Sequence, residues 1–358
     1  MYLKVNSRIH DYRIEFSDSP SFLGESGINR DSVIVVDENV RRLYAEEFST
    51  VDDSQIIDLS ISEDKKTMST VMELYGKLLA RDFRRNQTLF SIGGGITQDI
   101  TGFVASTLFR GINWTFIPTT LLAQADSCLG SKTSLNFENY KNLVGSFYPP
   151  HRILIFSRFL LSLTDADYMS GVGEIVKLFI MAGSAKTGRL REHLAAIKTR
   201  DLPVVNQAIF DSLNIKLNFM ADDEFDSGKR NLLNFGHCFG HALESTSAFA
   251  VPHGQAVLIG MLFANYISLN RAYIDEKKFD LLNDIITSAL STRLRENFFA
   301  VEPLYEAMAK DKKRTGKGLA LITLRQDDTL TKELDLSREE LQKGVRFLIT
   351  FLNIGREN

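Results

Sequence analysis

The chain has 358 residues, of which 44% are hydrophobic and 24% charged, and its formal net charge is −3 at pH 7. That length exceeds what one hydrophobic core organises and points to two domains. The near-balanced charge excludes the basic footprint of a nucleic-acid binder, and no apolar run reaches the roughly 20 residues that span a bilayer. Cys128 and Cys238 form no disulfide framework and suit a reducing compartment, so a cytoplasmic location is expected. The first residues, MYLKVNSRIHDYRIEF, alternate like a strand and lack the apolar centre of a signal peptide.

In chain order, residues 32–37, 55–61, 88–94, 114–119 and 152–156 are short β-branched or apolar runs. Helical patterns fill the intervals at 40–48, 66–83 and 96–111. Strand and helix in alternation predict a parallel sheet with crossover helices. Beyond residue 159 the strand pattern fades, and 171–182, 202–220, 234–248, 254–269 and 277–290 carry helical periodicity, with only 319–324 extended. The expected architecture is an α/β Rossmann-like domain over residues 1–160 and a mostly α-helical domain over 161–358.

Chemistry concentrates at Arg230-Asn-Leu-Leu-Asn-Phe-Gly-His-Cys-Phe-Gly-His241 and Pro252-His253-Gly254, which hold three of the six histidines. His237 and His241 share a helix face, as a divalent-metal or acid/base pair does, and as two packing histidines also do. Phe90-Ser-Ile-Gly-Gly-Gly-Ile-Thr-Gln-Asp99 sets three glycines between a strand and a helix, where backbone amides attract phosphate. Asp37, at a strand end, suits either a ribose or the N-cap of the next helix. Glu63 and Lys66 read as cofactor contacts or as a cap beside a solvated lysine. Asp126, Lys132, Asn136, Lys141 and Asn142 lie in a Gly-, Ser- and Asn-containing loop region. Glu174 and Lys177 sit among apolar residues, where charges need partners or a metal. With Lys216, Arg230 and the 310–313 cluster, they suit a phosphate-bearing, multiply oxygenated anion.

These segments, in this order, resemble the sugar phosphate cyclases, and among them the 3-dehydroquinate synthase family. The resemblance rests on Gly93-Gly-Gly-Ile-Thr-Gln-Asp99, Phe109-Arg-Gly111, Pro118-Thr-Thr-Leu-Leu-Ala-Gln-Ala-Asp126, Ser131-Lys-Thr133, Lys141-Asn-Leu-Val-Gly145, Gly173-Glu-Ile-Val-Lys177, residues 230–241 and His253-Gly254. It implies a divalent metal, zinc or cobalt, on Glu174, His237 and His253, with His241 turned to substrate instead. NAD would be held by Asp37, Glu63, Lys66, Gly94, Gly95, Asp99, Thr119 and Thr120. Lys132, Lys177, Lys216, Arg230, Asn234 and His241 would be catalytic, and Asp126, Lys141, Asn142 and Lys312 would bind substrate. Arg110 would reach a neighbouring subunit's site in a homodimer, and no nucleic acid or membrane partner is implied.

The implied reaction converts 3-deoxy-D-arabino-heptulosonate 7-phosphate to 3-dehydroquinate and phosphate: transient oxidation by NAD, phosphate elimination, reduction, ring opening and aldol closure. The alternative is another cyclase of the same chemistry acting on a sugar phosphate without a carboxylate, such as sedoheptulose 7-phosphate. Three positions depart from the family's usual residues: Asp226 for Glu, Ser131 for Gly and Gly173 for Ala.

Overall fold

A computed structural model describes residues 1–19, 21–138, 140–315 and 319–355, with the side chains of 310–315 outside the description. The chain divides into two compact units, Met1–Leu163 and Thr164–Asn358.

The first unit is built on a seven-stranded sheet. Its strands are β1 (Tyr2–Val5), β2 (Tyr12–Phe16), β3 (Val33–Asp37), β4 (Ile56–Leu59), β5 (Thr88–Gly93) and β6 (Asn113–Pro118), followed after a separate hairpin of β7 (Lys132–Phe137) and β8 (Tyr140–Phe147) by β9 (Arg152–Ile155). The order across the sheet is β1-β2-β9-β6-β5-β3-β4. Every pairing in it is parallel except that of β1 with β2. The run Val33-Ile-Val-Val is buried throughout, as a strand covered on both faces must be. The helices are α1 (Phe22–Ser26), α2 (Glu38–Leu43), α3 (Ala45–Phe48), α4 (Met68–Leu79) and α5 (Gly95–Thr107). On one side of the sheet Phe22, Phe48, Phe156 and Phe159 join Ile34, Val36 and Ile92 in a single apolar cluster.

The strand order reverses between β3 and β5, because β4 lies on one flank of β3 while β5 and then β6 extend the other. At such a switch point the carboxyl ends of the strands frame a crevice. Asp37 ends β3, Gly93 ends β5, and Pro118 ends β6 opposite Gly93, so three of the sequence motifs meet at that edge.

The second unit is mainly helical: α6 (Asp165–Met181), α7 (Ser184–Lys198), α8 (Leu202–Met220), α9 (His237–Thr246), α10 (His253–Asn270), α11 (Glu276–Ala289), α12 (Val301–Thr315) and α13 (Arg338–Phe351). A hairpin of β10 (Leu319–Leu324) and β11 (Leu330–Leu336) completes it. α10 is buried on nearly every face, which fits an apolar sequence with no amphipathic stripe. No helix among the described residues is long and apolar enough to cross a membrane.

Three differences from the sequence reading have physical causes. The loop assigned to Lys141 and Asn142 is the β7–β8 hairpin, in which only Thr133 and Leu135 point inward among polar residues, so the alternation is short. Gly145 permits that pairing, since a Cβ there would lie 2.2 Å from the Thr133 carbonyl oxygen. The helix expected at 66–83 begins only at Met68, because Lys66 belongs to a 3-10 turn ahead of it. The pattern also passes over α7, α12, α13 and β11, whose sequences are polar overall and rich in charge.

Candidate active site

In the second unit three helices deliver a carboxylate and three imidazoles to one place. Glu174 lies mid-way along α6, and His237 and His253 are the first residues of α9 and α10. His237 Nε2 is 3.5 Å and His253 Nε2 3.3 Å from the same oxygen, Glu174 Oε1. His241, one turn along α9, is exposed, and the ligand atoms of the three imidazoles lie within 4.8 Å of one another.

Two of the imidazoles have acceptors behind their outer nitrogens. His253 Nδ1 is 3.1 Å from Glu244 Oε2, and His237 Nδ1 is 3.2 Å from the Phe235 carbonyl oxygen. Acceptors at Nδ1 fix the proton there and turn the Nε2 lone pair inward, the arrangement found behind histidines that ligate metals. Glu174, His237 and His253 could hold a divalent metal as a one-carboxylate, two-imidazole donor set, a chemistry that suits zinc or cobalt, with His241 within reach of the same place.

The electrostatics agree. Burial, reinforced by the charges of Lys177, His241 and His253, holds His237 well below the usual histidine range, leaving it neutral as a ligand must be. Burial would depress His253 as well, but hydrogen bonds and charge from Glu174 and Glu244 push it up to about 10. The field that holds a proton on His253 is one that favours a cation. Lys177 Nζ sits 2.5 Å from the other Glu174 oxygen, and that pair is buried.

Gly173 and Gly254, the neighbours of Glu174 and His253, let α6 and α10 touch backbone to backbone. A Cβ on Gly173 would lie 2.3 Å from the Gly254 carbonyl oxygen, and one on Gly254 would lie 1.8 Å from that of Ser170. The Gly254 amide donates to Ser170 Oγ at 2.9 Å.

Upstream of α9, Asp223 organises a turn by accepting the backbone amides of Ser227 at 2.7 Å, Gly228 at 2.7 Å and Arg230 at 2.9 Å. Arg230 itself is buried and donates to the Glu224 carbonyl oxygen. Asp226 has φ 58, a left-handed conformation that Asp tolerates better than Glu, and accepts from Asn231 Nδ2 at 3.1 Å. Lys216 is buried on α8 and Asn234 is exposed just before α9. The side chain of Lys312 lies outside the described residues.

In the first unit the sequence candidates form a polar network. Buried Lys66 pairs with Asp99 Oδ2 at 2.6 Å and donates to Asn142 Oδ1 at 2.5 Å. Asp99 Oδ1 also accepts the Ser134 amide at 2.9 Å. Burial raises the Asp99 carboxyl, an effect that Lys66 and Ser134 oppose. Lys66 is therefore not a solvated lysine. Glu63 Oε1 accepts from Asn136 Nδ2 at 2.9 Å and lies 3.8 Å from Lys141 Nζ.

Asp37 does cap α2, accepting the Asn39 amide at 2.8 Å, and burial raises its carboxyl. Gly94 and Gly95 open α5, and Thr119 donates its amide to the Gly93 carbonyl oxygen at 2.9 Å. Thr120 lies close by, since a Cβ on Gly94 would be 3.0 Å from its methyl group. Asp126 is on a single π-helical turn, Ala123–Ser127, and Lys132 is exposed at the start of β7. Phe109, Arg110 and Gly111 have φ of 51, 62 and 115, three consecutive left-handed residues that present Arg110 to solvent. Sequence reasoning missed Glu244 and Asp223. The spacing of Glu244 three residues after His241 was the available signal.

Family models describing the 3-dehydroquinate synthase N-terminal and C-terminal regions match residues 56–170 and 171–314. The chain is 34% identical over 337 residues to 3-dehydroquinate synthase of Alkaliphilus metalliredigens, covering 93% of each protein. Its fold is similar to that of 2-epi-5-epi-valiolone synthase from Streptomyces hygroscopicus subsp. jinggangensis, solved with NAD+ and Zn2+, at TM-score 0.85, 23% identity and 98% coverage of both chains. It is also similar to 2-deoxy-scyllo-inosose synthase complexed with carbaglucose-6-phosphate, NAD+ and Co2+, at TM-score 0.83 and 23% identity, covering 97% of this chain and 99% of that one.

Proposed function

The chain belongs to the 3-dehydroquinate synthase family, and on that premise we propose that it converts 3-deoxy-D-arabino-heptulosonate 7-phosphate into 3-dehydroquinate and phosphate. The observation that carries this reading over a sister cyclase is the 34% identity to a 3-dehydroquinate synthase across 93% of the chain, against 23% to the valiolone and inosose synthases.

NAD would lie at the carboxyl edge of β3, β5 and β6, against Asp37, Gly94, Gly95, Thr119 and Thr120, with Glu63, Lys66 and Asp99 beside it. One divalent metal would be held by Glu174, His237 and His253. When bound, NAD supplies a reversible hydride acceptor and the metal supplies Lewis acidity toward neighbouring substrate oxygens.

The chain's own residues bind, orient and neutralise. Arg230 offers paired N–H groups matched to a carboxylate, with Lys216 as a second cation. Lys132, Asn142, His241 and Lys312 would take the phosphate, joined by Arg110 of a second copy in a homodimer. Lys177, already paired with Glu174, fixes that carboxylate's orientation. Asp126, Lys141 and Asn234 would hold the remaining hydroxyls. A cytoplasmic, shikimate-pathway setting follows from this reading.

The test is to follow phosphate release and NADH absorbance with zinc-loaded protein and NAD. Release from the heptulosonate phosphate alone, without net NADH, is expected. Release only from sedoheptulose 7-phosphate would overturn the substrate and make Asp226 the first residue to examine. Net NADH accumulation would overturn the cyclase reading altogether.

A further inference from the structure

The second unit also contains an open-mouthed cavity of about 260 Å³ lined by residues of α6, α7 and α8. Phe179 of α6, Leu190 and Ile197 of α7 and Ala208 of α8 form an apolar floor. Phe179 follows Glu174 by five residues, roughly 140° around the helix, so it faces away from the metal ligands. An apolar cavity of about 150 Å³ already admits a benzene ring, so this volume accepts a ring with a short substituent.

The rim sets the sign of that substituent. Asp211 of the lining is paired with two cations, Arg189 at 3.3 Å, also in the lining, and Lys186 at 3.4 Å, just outside it. One carboxylate against these two cations leaves the cluster net positive, and His193 of the lining adds a further donor. A ring with an anionic head meets both requirements, whereas an ammonium head meets Lys186 and Arg189 as like charges.

We propose that this cavity binds a small single-ring carboxylate, its ring against Phe179 and Ala208 and its carboxylate at Arg189 and His193. Nothing in the proposed reaction uses these residues, so the site stands or falls separately from it. Calorimetric titration of the zinc-loaded, full-length protein with benzoate tests it, with benzylamine as the charge control. Saturable benzoate binding with a dissociation constant on the order of 1 mM or lower is expected, and none for benzylamine. Ala208→Phe, which fills the cavity, abolishes it. Arg189→Glu, a rim change that leaves the core intact, weakens benzoate by about tenfold or more even if the filled variant does not fold. Absent binding, equal binding of benzylamine, or benzoate binding that survives Ala208→Phe or Arg189→Glu, as it would at the metal site, overturns the proposal.

Discussion

His253 is held from both ends, Nε2 by Glu174 at 3.3 Å and Nδ1 by Glu244 at 3.1 Å, so Glu244 would act through the imidazole on a metal held there. Glu244→Gln keeps the shape and loses the charge. It should weaken zinc by about 10- to 100-fold in a chelator competition while the far-ultraviolet spectrum stays unchanged. Unaltered zinc affinity would reduce Glu244 to packing. A second single-residue test concerns Lys66, whose charge is buried against Asp99. Lys66→Met leaves that carboxylate uncompensated and should cost about 3–5 kcal/mol in urea unfolding, with Asp99→Asn restoring part of it. A loss below about 1 kcal/mol would mean that Asp99 is neutral in the folded protein. Sequence alone left Lys66 open between cofactor contact and solvated lysine, because Asp99 and Asn142 approach it from distant parts of the chain. Ser131 shows the reverse: its φ of 65 explains why glycine is the usual residue there.

Between elements, the contact that brings Glu174 beside His253 is that of α6 with α10. Gly173 and Gly254 let the two backbones meet, and each glycine adjoins a proposed ligand. Gly173→Ala requires the helices to separate, at a cost of about 1–3 kcal/mol, and should lower zinc affinity in parallel. Gly254→Ala, whose Cβ would fall closer still to backbone, should cost more. An unchanged unfolding midpoint and zinc affinity in Gly173→Ala would show that the approach sets nothing. The strands β3, β5, β6 and β9 and the helix α8 could be read from periodicity because their apolar residues repeat without interruption. The β7–β8 hairpin could not, because its inward positions are few and its outward ones carry the Lys, Ser and Asn of the polar network around Lys66 and Asp99.

For the molecule as a whole, acid is the informative perturbation. Glu340 caps α13 and accepts two hydrogen bonds from Arg271, at 2.7 and 2.9 Å, which hold its carboxyl down to about 2 from the usual 4.5. Asp223, although desolvation opposes it, is held down to about 2 from 3.8 by the amides of Ser227, Arg230 and Gly228. Both folded values lie below the unfolded ones, so the unfolded chain takes up protons first as pH falls. Their stabilisation is complete above about pH 5 and is lost as pH falls toward about 2. Glu340→Gln should flatten part of that acid limb and reduce neutral-pH stability by about 1–2 kcal/mol, measured by urea unfolding across pH. An acid limb of unchanged slope would show that Glu340 carries no depressed value.

The sequence by itself determined the α/β-then-helical plan and the family resemblance. It also carried the inventory of cations, glycines and histidines, all of which are properties of residue type, order and local period. Helix periodicity, however, paired His237 with His241, since a helix face is the only geometry that local spacing can express. The resemblance named Glu174 and His253 beside His237, but only the tertiary structure showed these groups within reach of one another, set Glu244 behind His253, buried Lys66 against Asp99, and closed α6 onto α10. Those arrangements join residues far apart in the chain, and the packing that brings them together leaves no periodic trace in either segment.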